Sequence, residues 1–229
     1  GFGWACLVGN ISIMAFYTVV CGWLINYFVK FVSGNNQNIG FDKMTADPSV
    51  NVLFLLITVV MAFFILSFNL QGGLERVTKY MMIALLVLMV VLAVNSLMLG
   101  GAGEGMSFYL KPDFSKINGS VVVGAMNQAF FTLSTGMGGM AIFGSYIDKN
   151  RSLMGESVSV ISLDTLVAIL AGVIIFPACF TYNLEVNAGP SLLFDTMATV
   201  FNNMEGGRIW GSLFFLFMVF AGMSTVLGV

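Results

Sequence analysis

Apolar residues along this chain fall into six long stretches separated by more polar segments. Each stretch is long enough to cross the roughly 30 Å hydrocarbon core of a bilayer as an α-helix. The charged residues lie almost entirely between the stretches. The pattern predicts an all-α membrane protein, a multi-pass helical bundle forming one transmembrane domain over 1–229, with spans at about 4–32, 51–70, 79–99, 121–146, 158–182 and 209–229.

Composition supports this fold class and excludes several functions. The chain is 58% hydrophobic and 9% charged, which is outside the range of soluble domains. Its formal net charge of -2 gives no support for a nucleic-acid partner. Histidine is absent, so a Ser-His-Asp or zinc enzyme is untenable and we predict no enzymatic activity. All three cysteines lie in apolar spans, where we interpret them as packing residues: Cys6, Cys21 and Cys179.

The fourth stretch is interrupted near its middle by the sequence Ser134-Thr135-Gly136-Met137-Gly138-Gly139. Glycine costs about 1 kcal/mol relative to alanine in a helix interior. A break exposed to lipid would also leave backbone groups without partners, at several kcal/mol each. Discontinuous helices of secondary transporters tolerate such breaks because they line a polar site. We therefore expect this segment to bind a small charged solute or a coupling ion.

Asp164 is the only formal charge well inside an apolar stretch. Burying it unpaired would cost at least about 2.5 kcal/mol, so we expect it to face a cavity and to meet a cation. A bound cation, a transported proton and a basic residue on a helix outside this sequence all remain open. Alternatively, Asp164 reaches a nearby membrane interface from the early part of its helix.

Two further sets of side chains share helix faces. Tyr17 lies one turn beyond Ile13 in the first stretch, and a buried tyrosine hydroxyl needs a partner. In the last stretch, one face at i, i+3, i+4 and i+8 spacing offers two hydroxyls. Such residues are also common at helix-packing positions. This face comprises Ala221, Ser224, Thr225 and Val229.

The long segment after the fifth stretch carries a helix signal of its own. Pro190 follows Gly189 at a position typical of a first helical turn, which predicts a short amphipathic helix over about 190–202. The helix could dip toward the membrane as a lid or plug, or it could be an ordinary capping loop. Because the sequence begins without methionine and stops inside an apolar run, we interpret it as a fragment.

The run from Asn127 to Gly138, NQAFFTLSTGMG, closely resembles the unwound sixth helix of the neurotransmitter:sodium symporter family, especially of its bacterial amino-acid transporters. Residues 15–23 are similar to the third helix of that family, 163–177 to the seventh and 220–225 to the eighth. The resemblance covers essentially the whole sequence. It implies helices three to eight of a twelve-helix, inverted-repeat fold like that of the leucine transporter.

The resemblance also implies roles for individual residues. Tyr17 would hydrogen-bond the substrate carboxylate, and Phe131 would act as an aromatic lid. Thr132 and Asp164 would coordinate a first sodium ion. A second would be held by the carbonyl of Ala221 and the hydroxyls of Ser224 and Thr225. The substrate-binding set would be Ile13, Tyr17, Phe131, Thr132, Ser134, Met137 and Val229, and an intracellular gate would include Ser145 and Tyr146.

The function implied is sodium-coupled symport of amino acids or related small amines across the cell membrane by alternating access, with two Na⁺ ions. The implied partners are a small amino-acid-like substrate, the lipid bilayer and the missing helices of the same polypeptide. Asp164 stands where many animal members have asparagine together with a chloride ion, so we predict chloride-independent transport. A polar-pore ion channel or a membrane scaffold is the alternative. The orientation implied by the resemblance puts the loops 33–50, 100–119 and 183–208 outside.

Overall fold

The computed structural model describes residues 2–37, 39–67, 71–136, 152–184, 186 and 189–228. These residues contain no β-strand, and the predicted all-α fold class is confirmed. The helices are α1 (Phe2–Ser33), α2 (Phe41–Thr45), α3 (Pro48–Ser67), α4 (Gln71–Leu97), α5 (Ala102–Leu110), α6 (Gly119–Thr132), α7 (Leu153–Thr181), α8 (Met197–Asn203) and α9 (Gly207–Gly228). A 3₁₀ turn covers Phe114–Lys116, and a π-helical turn covers Leu192–Thr196.

Four of the described helices are individually long and apolar enough to cross a membrane: α1, α3, α7 and α9. The C-terminal part of α4 meets the same criterion only together with α5, from which it is bent by 114°. Gly100 and Gly101 lie at this bend and favour a turn over a continuous helix. The chain therefore changes direction sharply where α4 ends.

Helix α1 packs against α3 and α9. At its crossing with α9, the buried thiol of Cys21 lies 4.0 Å from the carbonyl oxygen of Val219. Farther along, Arg208 at the start of α9 donates from Nε to the carbonyl of Phe31, at 3.2 Å. The last turn of α1 thus has a cationic cap, which suits the negative end of a helix dipole. The end of the bundle where α1, α4 and α7 finish and α9 begins is called the upper end below.

The segment between α7 and α9 is part of the core at the upper end. Phe194 in the π-helical turn is fully buried and lies 4.9 Å, centroid to centroid, from the ring of Tyr27. Its neighbour Asp195 accepts a hydrogen bond from the backbone N–H of Phe41, at 2.9 Å. The amide of Asn36 donates to Asn202 Oδ1, and the amide of Asn202 donates to the Asn36 carbonyl, both at 2.7 Å. These contacts hold the turn and α8 against the end of α1.

Helix α5 packs closely on α7 at an internal proline. A Cβ atom placed on Gly105 would lie 2.6 Å from the Cα atom of Pro177, so only glycine allows this approach. Pro177 has no N–H to donate within α7. Nearby, the Ser96 hydroxyl of α4 donates to the carbonyl of Ile174 at 2.7 Å. The irregular part of α7 is therefore enclosed by packing from α4 and α5.

We expect Gly105→Ala to destabilise the protein because the added methyl group meets backbone atoms of α7 that cannot move aside. Overpacking of this kind costs about 1–3 kcal/mol. The matched control is Gly103→Ala in the same helix, where a Cβ atom meets nothing within 4 Å. Melting temperatures of the two full-length variants in detergent, followed by loss of the monodisperse elution peak, make the comparison. Equal melting temperatures would contradict the close packing at Pro177.

Candidate functional site

The break in the fourth predicted span begins where α6 ends, at Thr132. The backbone N–H of Ser134 bonds to the carbonyl of Phe131 at 3.1 Å, and that of Thr135 to the carbonyl of Phe130 at 2.9 Å. Ser134 has a φ of 52°, so these bonds form the left-handed termination known as a Schellman motif. The predicted interruption of the helix is confirmed. Residues 137–151 lie outside the described part of the chain.

Thr132, the last residue of α6, contacts Asp164 of α7. Its hydroxyl donates to the carboxylate, at 3.1 Å from Oδ1 and 3.4 Å from Oδ2. Asp164 lies eleven residues after Leu153, the start of α7. At 1.5 Å per residue this is about 16 Å along a helix of 29 residues. The half-buried carboxylate therefore meets the end of α6 well away from both ends of α7.

A second group of oxygen atoms lies within one turn of α9. The hydroxyls of Ser224 and Thr225 donate to the carbonyl oxygen of Ala221, at 2.8 and 3.2 Å. All three residues are half-buried. Such bonds to the preceding turn are a usual arrangement for serine and threonine in helices. The geometry brings the three oxygens together but does not by itself distinguish an ion site from helix packing.

Helix α1 presents Ile13 and Tyr17 on a half-buried stripe. The stripe continues toward the start of the helix through Asn10 and Cys6, at i, i+4, i+7 and i+11 spacing, while the side chains at 7–9, 11 and 12 are exposed. The thiol of Cys6 lies 3.6 Å from the carbonyl oxygen of Gly136, within the break. From the sequence, Cys6 is interpreted only as a packing residue. Its spacing from Tyr17 is the signal that could have linked it to the site.

The remaining predicted site residues are placed as follows. Phe131 is exposed near the end of α6, as are residues 119–132 throughout, and Ser134 is half-buried in the break. No described contact joins Tyr17 to the Thr132–Asp164 pair, although Cys6 brings the same helix to the break. Met137 and Val229, and the gate residues Ser145 and Tyr146, lie outside the described residues.

The site can be compared with those of known proteins. The family model described as the sodium:neurotransmitter symporter family matches residues 38–229. An uncharacterised sodium-dependent transporter of Haemophilus influenzae is 34% identical over 234 residues, covering 97% of this chain and 51% of the relative. The chain belongs to the sodium:neurotransmitter symporter family. The resemblance found in the sequence is thereby confirmed.

Two more similarities agree with the family. An uncharacterised sodium-dependent transporter of Bacillus subtilis is 30% identical over 230 residues, covering 97% of this chain and 51% of the relative. The crystal structure of MhsT in complex with L-phenylalanine has a TM-score of 0.89 and 34% identity, covering 99% of this chain and 53% of that one. This symporter-family chain therefore spans about half the length of the relatives it matches. It is part of a multi-pass membrane protein, and the names of these relatives describe transporters, not enzymes.

We expect Gly136→Ala to destabilise the break, because Gly136 has a φ of 79° and a left-handed conformation costs an L-residue about 1–2 kcal/mol. Gly124→Ala in the regular part of α6 is the control. At both positions a Cβ atom meets nothing within 4 Å among the described residues, so the two substitutions differ in backbone conformation and not in described contacts. Melting temperatures of the full-length variants should fall for position 136 only. An equal or higher value for Gly136→Ala would show that the break does not need this conformation.

Proposed function

We propose that the protein is a sodium-coupled symporter for amino acids or related small amines that works by alternating access. The observation that carries this proposal is the contact between Thr132, where α6 stops inside the membrane, and the carboxylate of Asp164. Hard cations such as sodium prefer oxygen ligands, and this pair offers a hydroxyl and two carboxylate oxygens. The Haemophilus influenzae and Bacillus subtilis relatives, named as sodium-dependent transporters, support sodium as the coupling ion.

In this proposal the substrate lies between α1 and the break. The hydroxyl of Tyr17 donates to the substrate carboxylate, and Ile13, Phe131 and Ser134, with Met137 and Val229, shape the pocket around its side chain. The similarity to MhsT, whose crystal structure is a complex with L-phenylalanine, supports an amino-acid substrate. The upper end of the bundle faces the outside of the cell, so substrate and sodium enter from that end.

We assign two sodium sites to the full-length protein. Thr132 and Asp164 supply ligands for the first, next to the substrate carboxylate. The carbonyl of Ala221 and the hydroxyls of Ser224 and Thr225 supply ligands for the second, and their convergence on one turn of α9 supports this assignment. Each hydroxyl would offer a lone pair to a bound sodium ion, and its O–H could still donate a hydrogen bond within the protein.

We expect the full-length protein in proteoliposomes to accumulate a radiolabelled amino acid when an inward sodium gradient is applied. Thr225→Ala removes one sodium ligand, and losing a polar contact to a charged group costs about 1.5–3 kcal/mol. The sodium concentration for half-maximal uptake should therefore rise roughly tenfold or more. Uptake as a function of sodium concentration, measured with saturating amino acid, gives this value.

The control for Thr225→Ala is Ser212→Ala in the same helix. The Ser212 hydroxyl also bonds to the preceding turn, at 2.7 Å from the carbonyl of Arg208, but near the start of α9. A similar change in both variants would favour a packing role for these hydroxyls. An internal amino-acid concentration that never exceeds the external one would instead favour a polar-pore channel over a symporter.

We propose that Asp164 makes transport independent of chloride, because its fixed negative charge balances the charge of the first sodium ion. Replacing chloride by gluconate should leave wild-type uptake unchanged. Asp164→Asn keeps a similar shape but loses the charge, so uptake should fall severely in gluconate and recover in part with chloride. The control is Asp42→Asn, which removes an exposed carboxylate in α2. A chloride requirement in the wild type would contradict the assignment.

A further inference from the structure

The chain between α4 and α6 forms an elbow whose position relative to the bilayer follows from its geometry. We use the name elbow for residues 102–117, which contain α5 and the 3₁₀ turn Phe114–Lys116. The bend between α4 and α5 is 114°, which is 24° beyond a right angle. On the sequence prediction of a span at 79–99, α4 crosses the membrane, and the bend turns α5 toward the membrane plane. It begins five residues after Leu97, the end of α4, and so lies at the edge of the hydrocarbon core.

Helix α5 has two different faces. Ala102 and Gly105 are buried against the bundle, and the ring of Tyr109 stacks on Phe176 of α7 with 4.7 Å between centroids. On the opposite side lie Glu104 and Ser107, which are exposed. A helix that packs on the protein with one face and carries polar groups on the other is fixed in rotation. Its two flanks point in opposite directions, so at most one of them faces the membrane.

The flanks of α5 and the turn that follows carry large apolar side chains. Leu110 is 62% exposed, Phe114 75% and Ile117 55%, whereas the ring of Phe108 on the other flank lies 5.4 Å, centroid to centroid, from that of Phe180 in α7. Three such residues within eight positions form an unfavourable surface in water. Aromatic residues and in-plane amphipathic helices are typical of the boundary between headgroups and acyl chains. The location of the elbow at the end of a predicted span and its apolar composition thus both indicate the boundary between headgroups and acyl chains.

The charges of the elbow cancel, which argues against attraction to anionic lipid. Its charged side chains are two acids, Glu104 and Asp113, and two bases, Lys111 and Lys116. Lys116 Nζ lies 3.3 Å from Asp113 Oδ2. Hydrogen bonds from Ser115, together with Lys116, hold the pKa of Asp113 below its usual range. Any contact between the elbow and the membrane therefore depends on its apolar side chains.

We propose that the elbow is inserted into the interfacial layer of the bilayer through Leu110, Phe114 and Ile117, with neutral phospholipid as its partner. Helix α6 starts only two residues beyond Ile117, and its first turn is capped by Asn118, whose side chain accepts from Val121 N at 3.0 Å. The elbow therefore anchors the beginning of the interrupted helix to the lipid surface. This anchoring does not depend on which solute the protein carries.

The test places a nitroxide spin label at Phe114→Cys in the full-length protein, with other reactive thiols replaced, reconstituted into neutral phosphatidylcholine vesicles. The nitroxide at position 114 should collide more often with oxygen, which concentrates in lipid, than with a water-soluble nickel chelate. The control is Ser107→Cys on the polar face, where the order should be reversed. Both labelled variants must elute as the unlabelled protein does. Equal access of nickel at the two positions would overturn the proposal, and so would a label at Phe114→Cys that neither reagent reaches, because protein would then cover it.

A second measurement avoids spin labels and tests the partner. The variant Phe114→Trp should lose its added tryptophan fluorescence in vesicles of brominated phosphatidylcholine, whereas Ser107→Trp should be quenched at most half as strongly. Replacing a third of the lipid by phosphatidylglycerol should change the quenching of Phe114→Trp by less than twofold. Quenching that appears only with the anionic lipid would show that charge, not apolar insertion, holds the elbow at the membrane.

Discussion

The structure depends on one constraint, that backbone N–H and C=O groups inside a bilayer need partners within the protein. At the end of α6 the chain meets this constraint locally. The N–H groups of Ser134 and Thr135 turn back to the carbonyls of Phe131 and Phe130, so the helix stops without leaving those groups unpaired. At the point where the helix stops, the hydroxyl of Thr132 meets a carboxylate.

A comparison with α7 explains why the break after α6, and not the proline in α7, is the proposed site. The proline in α7 also removes a backbone hydrogen bond, but the surrounding helices cover it. Gly105 approaches the backbone of Pro177, and Ser96 donates to the neighbouring carbonyl of Ile174. These partners are uncharged, so among the described residues they offer no charge that would hold an ion. At the break in α6, the partner is the half-buried carboxylate of Asp164, which remains able to attract a cation.

Hydropathy and glycine content were enough to predict an all-α membrane bundle and the interruption at residues 134–136, because both depend on local sequence. Pairing Thr132 with Asp164, 32 residues away, required the family resemblance. The elbow could not be predicted, since Gly100 and Gly101 mark a turn but do not give its angle. The contact between Cys6 and Gly136 and the π-helical turn around Phe194 also depend on packing between distant segments. Sequence patterns within a single segment do not predict which distant segment it will contact.

The hydrogen bond between Thr132 and Asp164 bears on how the proposed cycle treats charge. The negative charge of a carboxylate inside the protein is balanced while sodium is bound, but it loses this partner when the ion leaves. The Thr132 hydroxyl can then donate to it, as it does in this structure, at 3.1 Å. One side chain thus serves as an ion ligand in the loaded state and as a hydrogen-bond donor in the empty state. The oxygens of Ala221, Ser224 and Thr225 carry no formal charge, so emptying the second site leaves no charge to compensate. In the proposed cycle the charge that needs a new partner after sodium release is therefore that of Asp164.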